Sequence, residues 1–197
     1  MNRMKKLWAV LLLLVASGQV FADEGMWVLK ELNKQNLERM KELGFTPSYE
    51  QLYSETDPCV ANAVVIFGGG CSGITVSNEG LIFTNHHCGF EAIRSHSTVE
   101  HDYMLNGFYA KTYEEELPNE NMFVSFMVDQ QDITDRVNQL GYESLSTEGK
   151  AQLIDSLQQV MTQEVKIKDS TLHVAIDAFY EGNKWYATTY QDFTDLR

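Results

Sequence analysis

The sequence predicts a mainly β fold with added helices, an α+β chain. Three observations carry this. Short apolar runs rich in β-branched residues, separated by glycine turns, fill residues 63–84. A second pair of short runs, 172–178 and 184–190, flanks Glu181-Gly182-Asn183. Helical stripes occupy separate stretches, at 31–43 and after Ser146.

Residues 1–22 read as a targeting segment outside the fold. Arg3, Lys5 and Lys6 make a positive start, and residues 7–15 form an apolar run too short to span a bilayer comfortably. Val20-Phe21-Ala22 offers small or aliphatic residues where a signal peptidase reads. Export with Asp23 as the mature N-terminus is expected; an uncleaved anchor is the alternative. Residues 23–197 suffice for one ordinary domain.

The remaining elements follow in order. Leu29, Leu32, Met40 and Leu43 fall on one stripe and Gly44 is a natural stop, which predicts a helix over 31–43. Thr46-Pro47 reads as an N-cap and first helical position, opening a short helix through Tyr53 that Asp57-Pro58 ends. Residues 63–67 read as a buried strand. Residues 74–77 and 81–84 are two more, joined by the tight turn Asn78-Glu79-Gly80. This meander ends at His86-His87-Cys88. Residues 97–113 lack periodicity and read as an ordered loop, and 122–128 as a strand. Ser146 caps a long helix with Leu153, Leu157 and Val160 on its apolar face. The closing hairpin follows, with Leu172, Val174, Ile176 and Ala178 alternating along its first strand.

Charge and cysteines narrow the setting. The first 22 residues hold three of the 15 basic residues and none of the 28 acidic ones. The rest carries 12 basic against 28 acidic side chains, a formal charge of −16. That argues against nucleic acid and anionic membrane surfaces as partners. Export would place Cys59, Cys71 and Cys88 in an oxidising compartment. Three is odd, so at most one internal pair forms.

The informative segment runs from Gly70-Cys71-Ser72-Gly73 through strand, turn and strand to Thr84-Asn85-His86-His87-Cys88-Gly89. A catalytic base needs an imidazole that titrates near neutrality and is held in one orientation. A strand end followed at once by a disulfide would hold it. Cys71 and Cys88 flank one hairpin, whose strands can bring their Cα atoms within the roughly 4.4–6.8 Å that a bridge requires. Closing a loop of about 17 residues would stabilise by roughly 3 kcal/mol. On extended backbone, His86 and His87 would point to opposite sides, so only one can serve. The plain alternative is that both are satisfied polar residues at a strand end.

This arrangement resembles the first barrel of chymotrypsin-like peptidases, where a Cys-x-Gly strand runs through a hairpin to a bridged His-Cys pair. More of the chain narrows the resemblance. Asp23-Glu24-Gly25-Met26-Trp27, the 63–73 run ending Gly68-Gly69-Gly70-Cys71-Ser72-Gly73, Thr84 to Gly89, Ser95-His96-Ser97 and Glu100-His101-Asp102-Tyr103 are together similar to the bacterial dipeptidyl peptidases of serine peptidase family 46. That family includes dipeptidyl-peptidases 7 and 11. The resemblance implies periplasmic or cell-surface enzymes of Gram-negative bacteria that release dipeptides from the free N-termini of oligopeptides. It implies a Ser-His-Asp triad on a double β-barrel, an inserted helical domain, homodimers and no cofactor. It makes His87 the general base and pairs Cys71 with Cys88.

The chain departs from the pattern in one respect. The triad order in this fold is His, Asp, Ser, and the family's Asp-x-Asp-Asn-Trp segment and downstream serine are not found among these 197 residues. The expectation is an N-terminal fragment, an incomplete trypsin-like β-barrel over 23–197 that stops before the triad Asp and Ser and is inactive alone. Such a barrel would expose an apolar face and strand edges, so aggregation is expected. Ser72 lies in Gly-Cys-Ser-Gly, not in a Gly-x-Ser-x-Gly elbow, and the resemblance assigns it to a structural strand. Asp102 and Asp177 are available acids that nothing marks as the partner. P1 specificity is not legible. Cys59 has no partner in this scheme and reads as an inert buried thiol, with a reactive thiol the alternative.

Two competing readings remain. His86, His87, Cys88, His96 and His101 are dense enough to raise a periplasmic metal site, but their spacing matches no common zinc pattern and Cys88 would have to stay a thiolate beside Cys71. The other is a catalytically inactive relic that captures peptides.

Overall fold

A computed structural model describes residues 27–32 and 34–197. The expected targeting segment, and Asp23 to Met26 of the N-terminal motif, lie outside the described residues. The described residues fall into two units, divided between Phe45 and Thr46. No helix among the described residues is long and apolar enough to cross a membrane.

In the first unit the single helix expected over 31–43 is instead a 3-10 turn, Leu29–Glu31, followed by helix α1, Lys34–Glu42. Gly44 stops α1 as expected. It takes φ +98°, and Phe45 N and Gly44 N donate back to Met40 O and Lys41 O. Those two bonds satisfy carbonyls that the helix end leaves open.

The second unit opens with α2, Tyr49–Leu52. Its N-cap is Ser48, not Thr46. Ser48 Oγ accepts from Gln51 N at 3.3 Å, and Ser48 N donates to Gln51 Oε1 at 2.8 Å. Only Ser48 has a Gln three residues on, which makes the reciprocal cap possible. Helix α3, Val60–Ala63, runs directly into β1, Val64–Phe67. Then come β2, Cys71–Thr75; β3, Ile82–Thr84; α4, His86–His96; α5, Tyr103–Asn106; β4, Val124–Asp132; α6, Thr134–Gln139; α7, Thr147–Lys166; β5, Leu172–Phe179; and β6, Lys184–Phe193.

The strands form one six-stranded sheet in the order β3-β2-β1-β4-β6-β5, with every neighbouring pair antiparallel. The sheet is open, with β3 and β5 at its edges. The β5–β6 hairpin matches the one expected from the sequence; the β2–β3 hairpin forms about the expected turn, but its first strand runs Cys71–Thr75 rather than over 74–77. The architecture is mixed α+β.

The core sits at the β5–β6 end. Ile133, Val137, Leu157, Val174, Ile176, Trp185 and Ala187 form one buried cluster, with Ile154, Met161 and Val165 of α7 packed on it. Burying a side chain of this kind contributes about 1.5–3 kcal/mol. Ser146 caps α7 as expected, accepting from Gly149 N. Val160, expected on the apolar face of α7, is 50% exposed. The inward stripe is Ile154, Leu157, Met161 and Val165, at the i, i+3, i+7, i+11 positions of a helix. At the other end Val65 is buried, and a Cβ on Gly73 would lie 3.0 Å from both Val65 Cγ2 and Ile82 Cγ2. Glycine there lets β1, β2 and β3 close on one face.

Candidate active-site histidine

The β2–β3 hairpin delivers the chain to Asn85, which caps α4 with extended backbone, φ −75° and ψ 147°. His86 and His87 are the first two residues of that helix. This corrects the expectation of extended backbone at a strand end. On a helix, successive side chains diverge by about 100° rather than 180°. The two histidines still separate: His86 packs edge-to-face on Phe90, four residues on, with centroids 5.8 Å apart. His87 turns instead toward the bridge. A ring nitrogen of His87 and the sulfurs of Cys71 and Cys88 all lie within 4.8 Å of one another.

Cys71 and Cys88 are disulfide-bonded, with Cα atoms 6.1 Å apart. The bridge ties the first residue of β2 to the first turn of α4. Thr84 Oγ1 donates to Ser72 O at 2.8 Å and closes the hairpin beside it. Both histidines are exposed. No hydrogen-bond partner of His87 is found among the described residues, so its ring is held through its backbone and faces solvent.

The other sequence candidates fall elsewhere. Ser72 lies in β2, opposite Ile66, as a strand residue. Asp102 caps α5, its Oδ1 accepting from Leu105 N at 3.0 Å. Asp177 is an exposed residue of β5 opposite Tyr186. Neither acid bonds His87. The five potential metal ligands are not gathered: Cys88 is in the disulfide, His96 contacts Asn119 and His101 stacks on Tyr103. Disulfide sulfurs offer no thiolate, so Cys71, His87 and Cys88 make no metal site in this form. Cys59 is a half-buried free thiol, with Sγ 3.1 Å from Asn62 Oδ1.

Residues 97–113 are not the plain loop expected, because α5 forms within them. Ser97 Oγ donates to Ile93 O and accepts from Met104 N, joining α4 to α5. The Tyr113 hydroxyl bonds the Glu79 carboxylate at the tip of the β2–β3 hairpin, which holds the phenol pKa above its ordinary value. The segment after α4 therefore strikes back onto the hairpin that leads into α4.

A Ser-Asp-His set that sequence reasoning missed lies on three adjacent strands. Ser125 Oγ donates to Asp192 Oδ1 at 2.6 Å. His173 Nδ1 lies 3.0 Å from Asp192 Oδ2, but off the direction of a hydrogen bond. A hydrolytic triad needs the imidazole between the other two groups. Here the aspartate is in the middle and Ser125 is 3% exposed. The set clasps β4, β6 and β5 and cannot activate a nucleophile. Its members are 19 to 67 residues apart, and no local pattern marks them.

A model of the peptidase S46 family matches residues 22–197, and the chain belongs to that family. Among its relatives, dipeptidyl-peptidase 7 of Porphyromonas endodontalis is 50% identical over 191 residues, 97% of this chain and 23% of that protein. The Asp/Glu-specific dipeptidyl-peptidase of Flavobacterium psychrophilum is 38% identical over 196 residues, 98% of this chain and 27% of that protein. The crystal structure of Porphyromonas endodontalis DPP11 superposes with a TM-score of 0.77 at 35% identity, over 88% of this chain and 25% of that one. The same protein in complex with the dipeptide Arg-Glu gives 0.74 at 33% identity, over 88% and 26%. The chain spans about a quarter of the length of the curated relatives it matches.

Proposed function

We propose that this chain is the N-terminal, histidine-bearing part of an exported serine dipeptidyl peptidase, and that His87 is its general base. The observation that carries the reading is the setting of His87. It is an exposed imidazole in the first turn of α4, turned toward a disulfide that fixes that turn to β2. A general base must reach a hydroxyl proton while its backbone stays still, and this setting supplies both conditions. Family membership and two kinds of dipeptidyl-peptidase relative support the reaction class.

In this reading the six-stranded sheet belongs to the first barrel of a trypsin-like peptidase. The triad Asp and the nucleophilic Ser come from residues beyond Arg197. His87 takes the serine proton as the hydroxyl attacks the scissile carbonyl and returns it to the leaving amine. The 197 residues alone hold a base without a nucleophile, so they have no acyl-enzyme route. Substrates are oligopeptides with a free N-terminus, cut after the second residue; complexes of DPP11 with dipeptides support this class. Residues 1–22 direct export to the periplasm or cell surface, and the working enzyme is a homodimer that needs no cofactor.

The test is hydrolysis of dipeptidyl-naphthylamides by the full reading frame that contains this segment. Activity lost on His87→Ala and kept on His86→Ala supports the assignment. Activity that survives His87→Ala refutes it.

A further inference from the structure

Asn119 uses every polar group it has. Its backbone N–H donates to Leu196 O at 2.8 Å, and its carbonyl accepts from Met122 N at 3.4 Å. Its Nδ2 donates to Leu117 O at 3.3 Å. That bond fixes the orientation of the amide, because a carbonyl accepts only from the NH2 end. Oδ1 is thereby turned to His96 Nε2, 3.2 Å away. His96 is the last residue of α4, the helix whose second residue is His87.

Two ends of the unit therefore meet at one side chain. One is the C-terminal end of α4. The other is the segment after β6, residues 194–197, held through Leu196. The contact spans 23 residues of sequence on one side and 77 on the other. Apart from this link, α4 is restrained by the disulfide at its first turn and by Ser97 at its end. A helix pinned at its first turn takes its direction from what holds its far end: Ser97 ties that end to α5, and Asn119 ties it to the segment after β6. His96 Nε2 can donate both as the Nε2–H tautomer and as the cation, so ring protonation does not remove the pin.

We propose that Asn119 is a positioning residue for the His87 base, setting the direction of α4 against the segment that follows β6. It does not touch His87 and acts through His96 and the helix. The inference rests on the general-base reading given above.

The test uses the full reading frame that contains this segment, with Asn119→Ala, Asn119→Asp and His87→Ala compared. For wild type and the Asn119 variants, rates are taken per active site, counted after labelling to completion with an organophosphonate that reacts with the nucleophile; for His87→Ala the rate is taken per mole of folded protein. Asn119→Ala should lower kcat about 10- to 100-fold, the loss expected when a reacting group shifts by about an ångström, with KM little changed. Asn119→Asp keeps an acceptor opposite His96 but loses the Nδ2–H bond to Leu117 O, so its rate should fall between those of wild type and Asn119→Ala. A merely structural role would lower the melting temperature and the number of titrated sites but leave kcat per site unchanged, and that result overturns the proposal. A His87→Ala enzyme that remains active refutes the general-base reading, and this inference with it. A dead His87→Ala enzyme beside a wild-type Asn119→Ala enzyme refutes this inference alone. Amide hydrogen exchange on the same full-frame protein gives a readout independent of activity. Asn119→Ala should speed exchange at residues 91–97, and unchanged exchange there contradicts the pin.

Discussion

Cys71 and Cys88, the first residue of β2 and the third of α4, are covalently joined with their Cα atoms 6.1 Å apart. The bond closes the hairpin loop and fixes the helix turn that carries His87. In the chain-entropy model, a loop of this length contributes about 3 kcal/mol. Replacing both cysteines by serine should lower the unfolding free energy by about 2–4 kcal/mol, read from the urea midpoint under oxidising conditions. Under a thiol reductant, wild type and variant should converge. Unchanged stability of the oxidised variant would show that the bridge orders the turn without supporting the fold.

Asp132 should give stability a pH dependence. Its carboxylate is held below the usual range chiefly by the Thr134 hydroxyl, 2.6 Å from Oδ1, then by Thr134 N–H, with Lys184 adding less. A carboxyl whose folded pKa is depressed stabilises the fold above its unfolded pKa, near 3.9, and loses that stability as pH falls through the folded value. Because the side chain is 43% exposed, solvent screens the Lys184 contact and it counts for little. Asp132→Asn should cost about 0.5–1.5 kcal/mol at pH 7. The gap to wild type should narrow below about pH 4. A gap that does not change with pH would contradict the assignment.

Gly73 marks where the strands crowd. A methyl group there would meet Val65 and Ile82 at 3.0 Å and Phe83 O at 3.3 Å. Two of these contacts are side chains that can give, and the third is backbone that cannot. Gly73→Ala should destabilise by about 1–3 kcal/mol in a denaturant melt, the ordinary cost of overpacking. Gly70→Ala, with nothing within 4 Å, is the control.

The face of the sheet opposite Gly73 is apolar and open. Val64, Ile74 and Phe83 stand opposite one another across β1, β2 and β3, exposed by 45%, 43% and 60%. The edge strands β3 and β5 add unpaired backbone groups. The 197-residue chain on its own should therefore self-associate in light scattering, and Phe83→Ser with Ile74→Thr should reduce that. A wild-type sample that stays monodisperse would count against this.

Much of this was legible where the local pattern and the tertiary structure agree. The β-branched run before Gly68, the turn at Gly80 and the alternation from Leu172 to Ala178 each specify a strand without help from distant residues. Ser146 with its following turn did the same for α7. The misses have physical reasons. His86 to His96 carries no clear apolar stripe, so its helix was hidden, although Asn85 is a good N-cap type. Val160 is apolar but sits off the inward stripe, which only the packing of α7 on β5 decides. At the site, the Cys71–Cys88 pair was readable because the two cysteines flank one short hairpin. The Asn119 pin and the Ser125–Asp192 clasp join residues far apart in sequence, and neither leaves a local trace.

If His87 is the base of a dipeptidyl peptidase, as proposed, turnover must fail without its imidazole. The most direct measurement is the rate of dipeptide release from a dipeptidyl-naphthylamide by the full reading frame containing this segment, wild type against His87→Ala, with melting temperatures recorded for both. The expected result is a loss of about 10⁴-fold or more in kcat without loss of fold, the scale at which a hydrolytic triad fails when a member is removed. A folded His87→Ala enzyme that keeps its rate would contradict it.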